Sequence, residues 1–135
     1  PNPNPNPNPN PNPNPNPNPN PNPRVIELGA GTGLAGIAAA RLGARVVLTD
    51  IDDEEILRLL KYNANCNGPY GGGGAVEVRP LDWRHPDAAW LAGQSFDAII
   101  AADCVYNPIL FEPFLNTVEQ LLKSNPNPNP NPNPN

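Results

Sequence analysis

The hydrophobic pattern divides the chain into three stretches. Pro1–Pro23 and Asn125–Asn135 alternate proline with asparagine and carry no charge. Such stretches cannot bury enough surface to offset the entropy of ordering them. The expectation is disorder with polyproline II character. Between the tails the pattern is that of a folded domain, 24–124. Val25–Leu28 is a short apolar run, and the glycine-rich Gly29–Gly33 follows it. Leu34–Leu42 is an alanine-rich helical stretch stopped by Gly43. Arg45–Thr49 is β-branched and apolar, a second strand closing at Asp50. Asp52 and Glu55 have the spacing of a capping box, ahead of Ile56, Leu60 and Ala64 at helical intervals. The run Asn63–Gly68 ends that helix, and Pro69–Gly74 reads as a flexible loop. Ala75–Leu81 alternates as a third strand, and Asp87–Leu91 is a short helix. Phe96–Ala102 is a buried fourth strand ending at Asp103. Ile109–Leu122 is a long helix with Phe114, Val118 and Leu121 on one face, and Pro113 is tolerable near its first turn.

Strands that alternate with helices predict an α/β fold, a parallel sheet with helices on both faces and right-handed crossovers. Composition narrows the function classes. Without the tails the apolar fraction rises to roughly half, ordinary for one globular domain. The net charge of −5 and the scatter of the basic residues argue against a nucleic-acid partner. No apolar run of about 20 residues is present to span a membrane, and no signal peptide is visible. Cys66 and Cys104 read as buried reduced thiols of a soluble intracellular protein, cytoplasmic or nuclear. His85 stands alone beside Pro86, and two scattered cysteines with one histidine make no metal site.

The chemistry concentrates in Glu27-Leu28-Gly29-Ala30-Gly31-Thr32-Gly33, between a strand and a helix. Glycines let a backbone turn tightly and approach a ligand closely. Asp50, at the end of the next strand, can accept hydrogen bonds from both ribose hydroxyls. Two cofactors fit this arrangement. Gly31-x-Gly33-x-x-Gly36 matches the dinucleotide fingerprint, but a pyrophosphate wants a helix N-terminus free of negative charge. Glu27 just before the turn suits a cationic ligand instead, such as the sulfonium and amino group of S-adenosylmethionine.

Three blocks in order carry a resemblance: Glu27–Gly33, Leu81-Asp82-Trp83, and Ala102-Asp103-Cys104-Val105-Tyr106. On these the chain resembles the seven-strand, class I methyltransferases of the lysine-methyltransferase-like group, family 16. The resemblance covers nearly all of 24–123. It implies a Rossmann-like fold, S-adenosylmethionine as cofactor and a protein substrate methylated on a lysine side chain. It also implies roles. Gly29, Ala30 and Gly31, in the turn closed by Gly33, contact the methionine part of the cofactor. Asp50 holds the ribose and Trp83 lies against the adenine. Asp82 reaches the adenine amino group or stands as a solvated loop acid. The Ala102 backbone closes the pocket.

Asp103 is the residue expected to carry the chemistry, and Tyr106 lines the acceptor channel or packs beside it. A lysine amine has a pKa of about 10.4, so freeing it at neutral pH costs roughly 4–5 kcal/mol. A carboxylate alone raises that pKa rather than lowering it. Asp103 is therefore assigned mainly to orienting the amine, where alignment supplies the gain. Asp103 also reads as a plain helix N-cap. A small amine or an arginine remains an alternative acceptor, and a non-catalytic cofactor- or partner-binding fragment an alternative to the enzyme.

The sequence departs from the resemblance in two ways. Only four strands are legible before the second repeat, against seven, and the resemblance then implies a partial sheet of order 3-2-1-4 truncated after the fourth strand. Its last strand would be an exposed apolar edge, an aggregation hazard, and the chain is expected to be marginally stable and catalytically weak or dead. Arg84 also stands where many members of the group have glycine, which bears on the local turn.

Overall fold

The computed structural model describes residues 22–69 and 73–124. The disordered reading of the repeats therefore lies outside the described residues, except at Asn22 and Pro23, and so does the middle of the Pro69–Gly74 loop. The end of the first repeat belongs to the fold: the Arg45 N–H donates to the Pro23 carbonyl at 2.8 Å.

The elements are β1 (Arg24–Leu28), α1 (Leu34–Arg41), β2 (Arg45–Asp50), α2 (Glu54–Asn67), β3 (Ala75–Pro80), α3 (Ala88–Ala92), β4 (Ala98–Ile100) and α4 (Phe111–Lys123). A 3₁₀ turn, Pro108–Leu110, leads into α4. The sheet runs β3-β2-β1-β4, the expected order, with every pair parallel. In β1 and β2 apolar residues face both ways, as a sheet covered on both sides requires. Val25, Val46 and Leu48 pack with Ile37 and Ala40 of α1 and Leu60 and Ala64 of α2. On the opposite face Ile26, Leu28 and Val47 pack with Leu81, Leu91, Phe96 and Leu121. Each fully buried large aliphatic side chain contributes about 1.5–3 kcal/mol.

Several boundaries differ from the sequence expectation. The cap of α2 is Asp53, not Asp52: one carboxylate oxygen of Asp53 accepts from the N–H groups of Glu55 and Ile56, both at 3.0 Å. The extra residue is taken up in a tight bend, where the Asp53 N–H donates to the Ile51 carbonyl at 2.7 Å. The helix runs on through Asn63 to Asn67. The fourth strand is neither long nor fully buried. Ala98 is exposed and Ile99 and Ile100 are half-buried, because β4 has a ladder partner on one side only, β1. Cys66 is exposed at the end of α2, whereas Cys104 is buried as expected.

Candidate functional site

A cleft of about 640 Å³ opens at the carboxyl ends of the strands, within the range of ligand pockets. In parallel α/β sheets this edge gathers ligands, since the loops there leave the sheet in opposite directions. Here α1 returns over one face of β1 while β4 enters from the other side.

The glycine turn forms one wall. Gly29, Gly31 and Gly33 have φ of 65°, 53° and 83°, left-handed values that other residues adopt only under strain. Gly29 has a second reason: a Cβ there would lie 2.6 Å from Cys104 Cβ and 3.3 Å from the Trp83 ring. The Asp50 carboxylate accepts from the Gly31 N–H at 2.7 Å and from the Ile51 N–H at 2.8 Å. Each of its oxygens has a second lone pair left for a ligand hydroxyl.

Glu27 is not on the cleft wall. Its side chain is 3% exposed and turns beneath α1, where it accepts from the Gly36 N–H at 2.8 Å. Burial pushes its carboxyl above the ordinary carboxylate range. The Gly36 hydrogen bond pulls it partly back, and the charge of Asp50 adds a further push upward. Thr49 locks the strand pair behind it, its hydroxyl donating to the Glu27 carbonyl at 2.7 Å.

Asp82, Trp83 and Arg84 form the second wall, after β3. Arg84 grips Asp82 with its Nε at 2.9 Å, its Nη2 at 2.7 Å and its backbone N–H at 3.0 Å. These bonds hold the Asp82 carboxyl below its ordinary range. Trp83 meets Phe114 of α4 edge-on at 5.1 Å, and its indole Nε1 is buried with no hydrogen-bond partner. The third wall follows β4. Asp103, Cys104, Tyr106 and Asn107 line it, continued by Ile109 and Leu110 of the 3₁₀ turn. Asp103 has φ 52°, the one left-handed residue other than glycine among the described residues. Burial pushes the Cys104 thiol above its usual value.

The cleft thus brings together Gly29, Gly31, Asp50, Asp82, Trp83, Asp103 and Tyr106. It does not include Glu27, Ala30, Gly33 or Ala102. Ala30 is buried, its N–H donating to the Thr49 carbonyl at 2.9 Å, and Gly33 is the buried N-cap of α1. Ala102 is exposed just outside. Sequence reasoning missed Ile51, Ile56 and Leu59, which line the cleft from the start of α2. Their signal was available: the residue after a strand's acid, then two apolar positions one helical turn apart. It also missed the pairing of Arg84 with Asp82, which only the turn geometry reveals.

The fold and the cleft together define a Rossmann-like domain of the methyltransferase type. The N-terminal domain of EvdMO1, crystallised in the presence of SAH and D-fucose, superposes with a TM-score of 0.57 at 29% identity, over 74% of this chain and 39% of that one. The chain belongs to the lysine methyltransferase family, whose profile matches residues 14–128. It is 46% identical to the protein N-lysine methyltransferase METTL21A of Danio rerio, over 72% of this chain and 43% of that protein. It is 36% identical to the calmodulin-lysine N-methyltransferase of Arabidopsis thaliana, over 74% of this chain and 33% of that protein. The chain therefore spans less than half the length of these curated relatives.

Proposed function

We propose that the cleft binds S-adenosylmethionine and that the protein transfers its methyl group to a lysine side chain of a protein substrate. The observation that carries this reading is the charge of the cleft. Its lining holds Asp50, Asp82 and Asp103 against one cation, Arg84, which is engaged with Asp82. Glu27 already occupies an N–H of the first turns of α1, the place a pyrophosphate would need. A cationic ligand with a ribose suits this wall; a dinucleotide does not.

The residues fit the cofactor. The left-handed glycines leave the turn bare of side chains, so a ligand's amino-acid part can approach the backbone of Gly29–Gly31. Asp50 has lone pairs for ribose hydroxyls. Trp83 offers an aromatic surface for adenine, and Asp82 at its side offers an acceptor at the rim. Glu27 acts from beneath: it fixes α1 and contributes negative charge without contact. Ala30 and Gly33 shape the turn, and Ala102 stands at the outer rim. When bound, the cofactor supplies an electrophilic methyl group on a sulfonium.

Asp103 and Tyr106 stand on the wall that follows β4, whereas Asp50 ends β2. We assign Asp103 to accept a hydrogen bond from the incoming amine and align it, because a carboxylate favours the ammonium form rather than the free amine. Its exposure leaves a water path for the released proton. Tyr106, 79% exposed, is assigned to the acceptor side. That exposure also favours a second reading, a chain that binds cofactor without turnover. We place the protein in the cytoplasm or nucleus; among the described residues no helix is long and apolar enough to cross a membrane.

Calorimetry with S-adenosylmethionine and with NAD tests the cofactor. The expected result is saturable binding of the first alone, and binding of NAD alone overturns it. Mass spectrometry of a lysine-bearing protein acceptor then separates the two readings. Methylation supports the enzyme; binding without any methylation supports the second reading.

A further inference from the structure

The turn Gly29–Gly33 is made from the residues least able to hold a shape, since glycine loses the most conformational freedom on ordering. Its form is therefore imposed by hydrogen bonds. The peptide between Ala30 and Gly31 is fixed at both ends. Its carbonyl accepts from the Gly33 N–H at 2.7 Å, and its N–H donates to Asp50 at 2.7 Å. The peptide between Thr32 and Gly33 is fixed at both ends as well. Its N–H is the one given to Ala30, and its carbonyl accepts from Asn63 Nδ2 at 3.0 Å.

Asn63 reaches this carbonyl from the second half of α2. It lies on the same helical line as Ile56 and Leu59, the two α2 residues that line the cleft. Its backbone carbonyl in turn accepts from Asn67 Nδ2 at 3.0 Å. The packing of α2 on the sheet rests on other residues, Leu57, Leu60 and Ala64, while Asn63 is half-buried. Its amide is thus not required to dock the helix. It ties the glycine turn to the helix that forms the cleft's other side.

We propose that Asn63 is a positioning residue for the adenosyl ligand. By holding the Thr32–Gly33 peptide it keeps the glycine wall in the one conformation that admits the ligand's amino-acid part. This rests on the cofactor reading above and adds to it a residue outside the cleft lining. Without the tie the turn must be ordered as the ligand binds, and that entropy is subtracted from affinity.

The test uses the whole chain and two probes, S-adenosylhomocysteine and adenosine, with calorimetric affinity and the ligand-free melting temperature as readouts. Asn63→Asp keeps the shape, removes the donor and sets two acceptors against each other. It is expected to weaken S-adenosylhomocysteine about tenfold. Adenosine lacks the amino-acid part assigned to the turn and should lose less than about threefold. The melting temperature should move by no more than about 4 °C. Asn63→Gln, which restores a donor one methylene further out, should recover part of the loss. Unchanged S-adenosylhomocysteine affinity in Asn63→Asp overturns the proposal, and so does an equal loss for both probes, the mark of a structural effect. Should Asn63→Asp fail to fold, Asn63→Ala is judged on the same ratio of losses. A wild-type chain that binds neither probe overturns the cofactor reading itself, which is a different result from a variant that matches the wild type.

Discussion

Two walls of the cleft are built on opposite principles. On the glycine side the backbone is committed: three left-handed glycines, a buried carboxylate and a set of hydrogen bonds from β2 and α2 fix the turn. On the Asp103 side the chain leaves β4 after three strand residues, and Ala101, Ala102, Asp103, Val105 and Tyr106 are all exposed. One wall is held in place by hydrogen bonds within the fold. The other is an open approach, held at one strained residue. Under the proposed function, specificity for a partner belongs on the open wall, where the surface is free to change without disturbing the core.

The largest expected effect breaks the committed wall. A Cβ at Gly36 would strike Leu48 Cδ2 and lie 2.5 Å from Glu27 Oε2, with Val46 at 3.1 Å. None of these can withdraw, since Leu48 is fully buried and Glu27 is pinned to Gly36 itself. Gly36→Ala is expected to cost about 3 kcal/mol, the upper end for overpacking, read by chemical denaturation. A cost under about 0.5 kcal/mol would mean that the wall yields and the contrast is overstated.

Glu27→Gln comes next, with a definite sign. Burial raises the folded-state pKa of Glu27. Its stabilising contribution is complete below the unfolded value of about 4.3 and is lost as pH rises through the raised folded value. The wild type should therefore lose stability over that window, and Glu27→Gln should flatten the slope and melt higher at neutral pH. The same change should lower affinity for S-adenosylmethionine more than for the uncharged-sulfur product. An unchanged ratio of the two affinities would confine Glu27 to holding α1.

The contrast between the walls also explains what the sequence disclosed. Val25–Leu28, Arg45–Asp50 and the glycine turn were legible because β-branched runs and glycines are local signals, and they lie where the fold is most determined. The strand order followed from the alternation of elements together with the family resemblance. The length of β4 was not legible, because it depends on a neighbour along one edge only. The direction of Glu27 was not legible either: charge complementarity suggested the cleft, but position along β1 puts the side chain on the α1 face with Val25. Asn63 looked like a helix-ending asparagine, and only its distant partner Thr32 gives it another role.

Asp103 tests whether the open wall holds any conformation of its own. At φ 52° a residue with a Cβ is strained, and asparagine and aspartate tolerate this region better than alanine. Asp103→Asn should be near neutral in stability, while Asp103→Ala should cost about 1 kcal/mol. If alanine costs nothing, the loop relaxes freely and the wall has no fixed shape. Under the proposed function, both variants should lose activity in a methyl-transfer assay on a protein acceptor, since neither retains the charge proposed to align the amine.

Arg84→Gln should have the smallest effect and locates the boundary between the two walls. The pair with Asp82 has three short bonds, yet the Arg84 side chain is 47% exposed. Exposed ion pairs contribute about 0–1 kcal/mol, and their attraction is screened by salt. Arg84 holds the Asp82 pKa down, so its contribution is present above the ordinary aspartate value of about 3.9 and fades as pH falls below it. Denaturation of Arg84→Gln at neutral pH should show a small loss of stability at low salt that shrinks at 1 M. A loss several times larger, unmoved by salt, would show that Arg84 anchors Trp83 as firmly as Asp50 anchors Gly31. The committed region would then extend across the Asp82–Arg84 wall and leave only the Asp103 wall open.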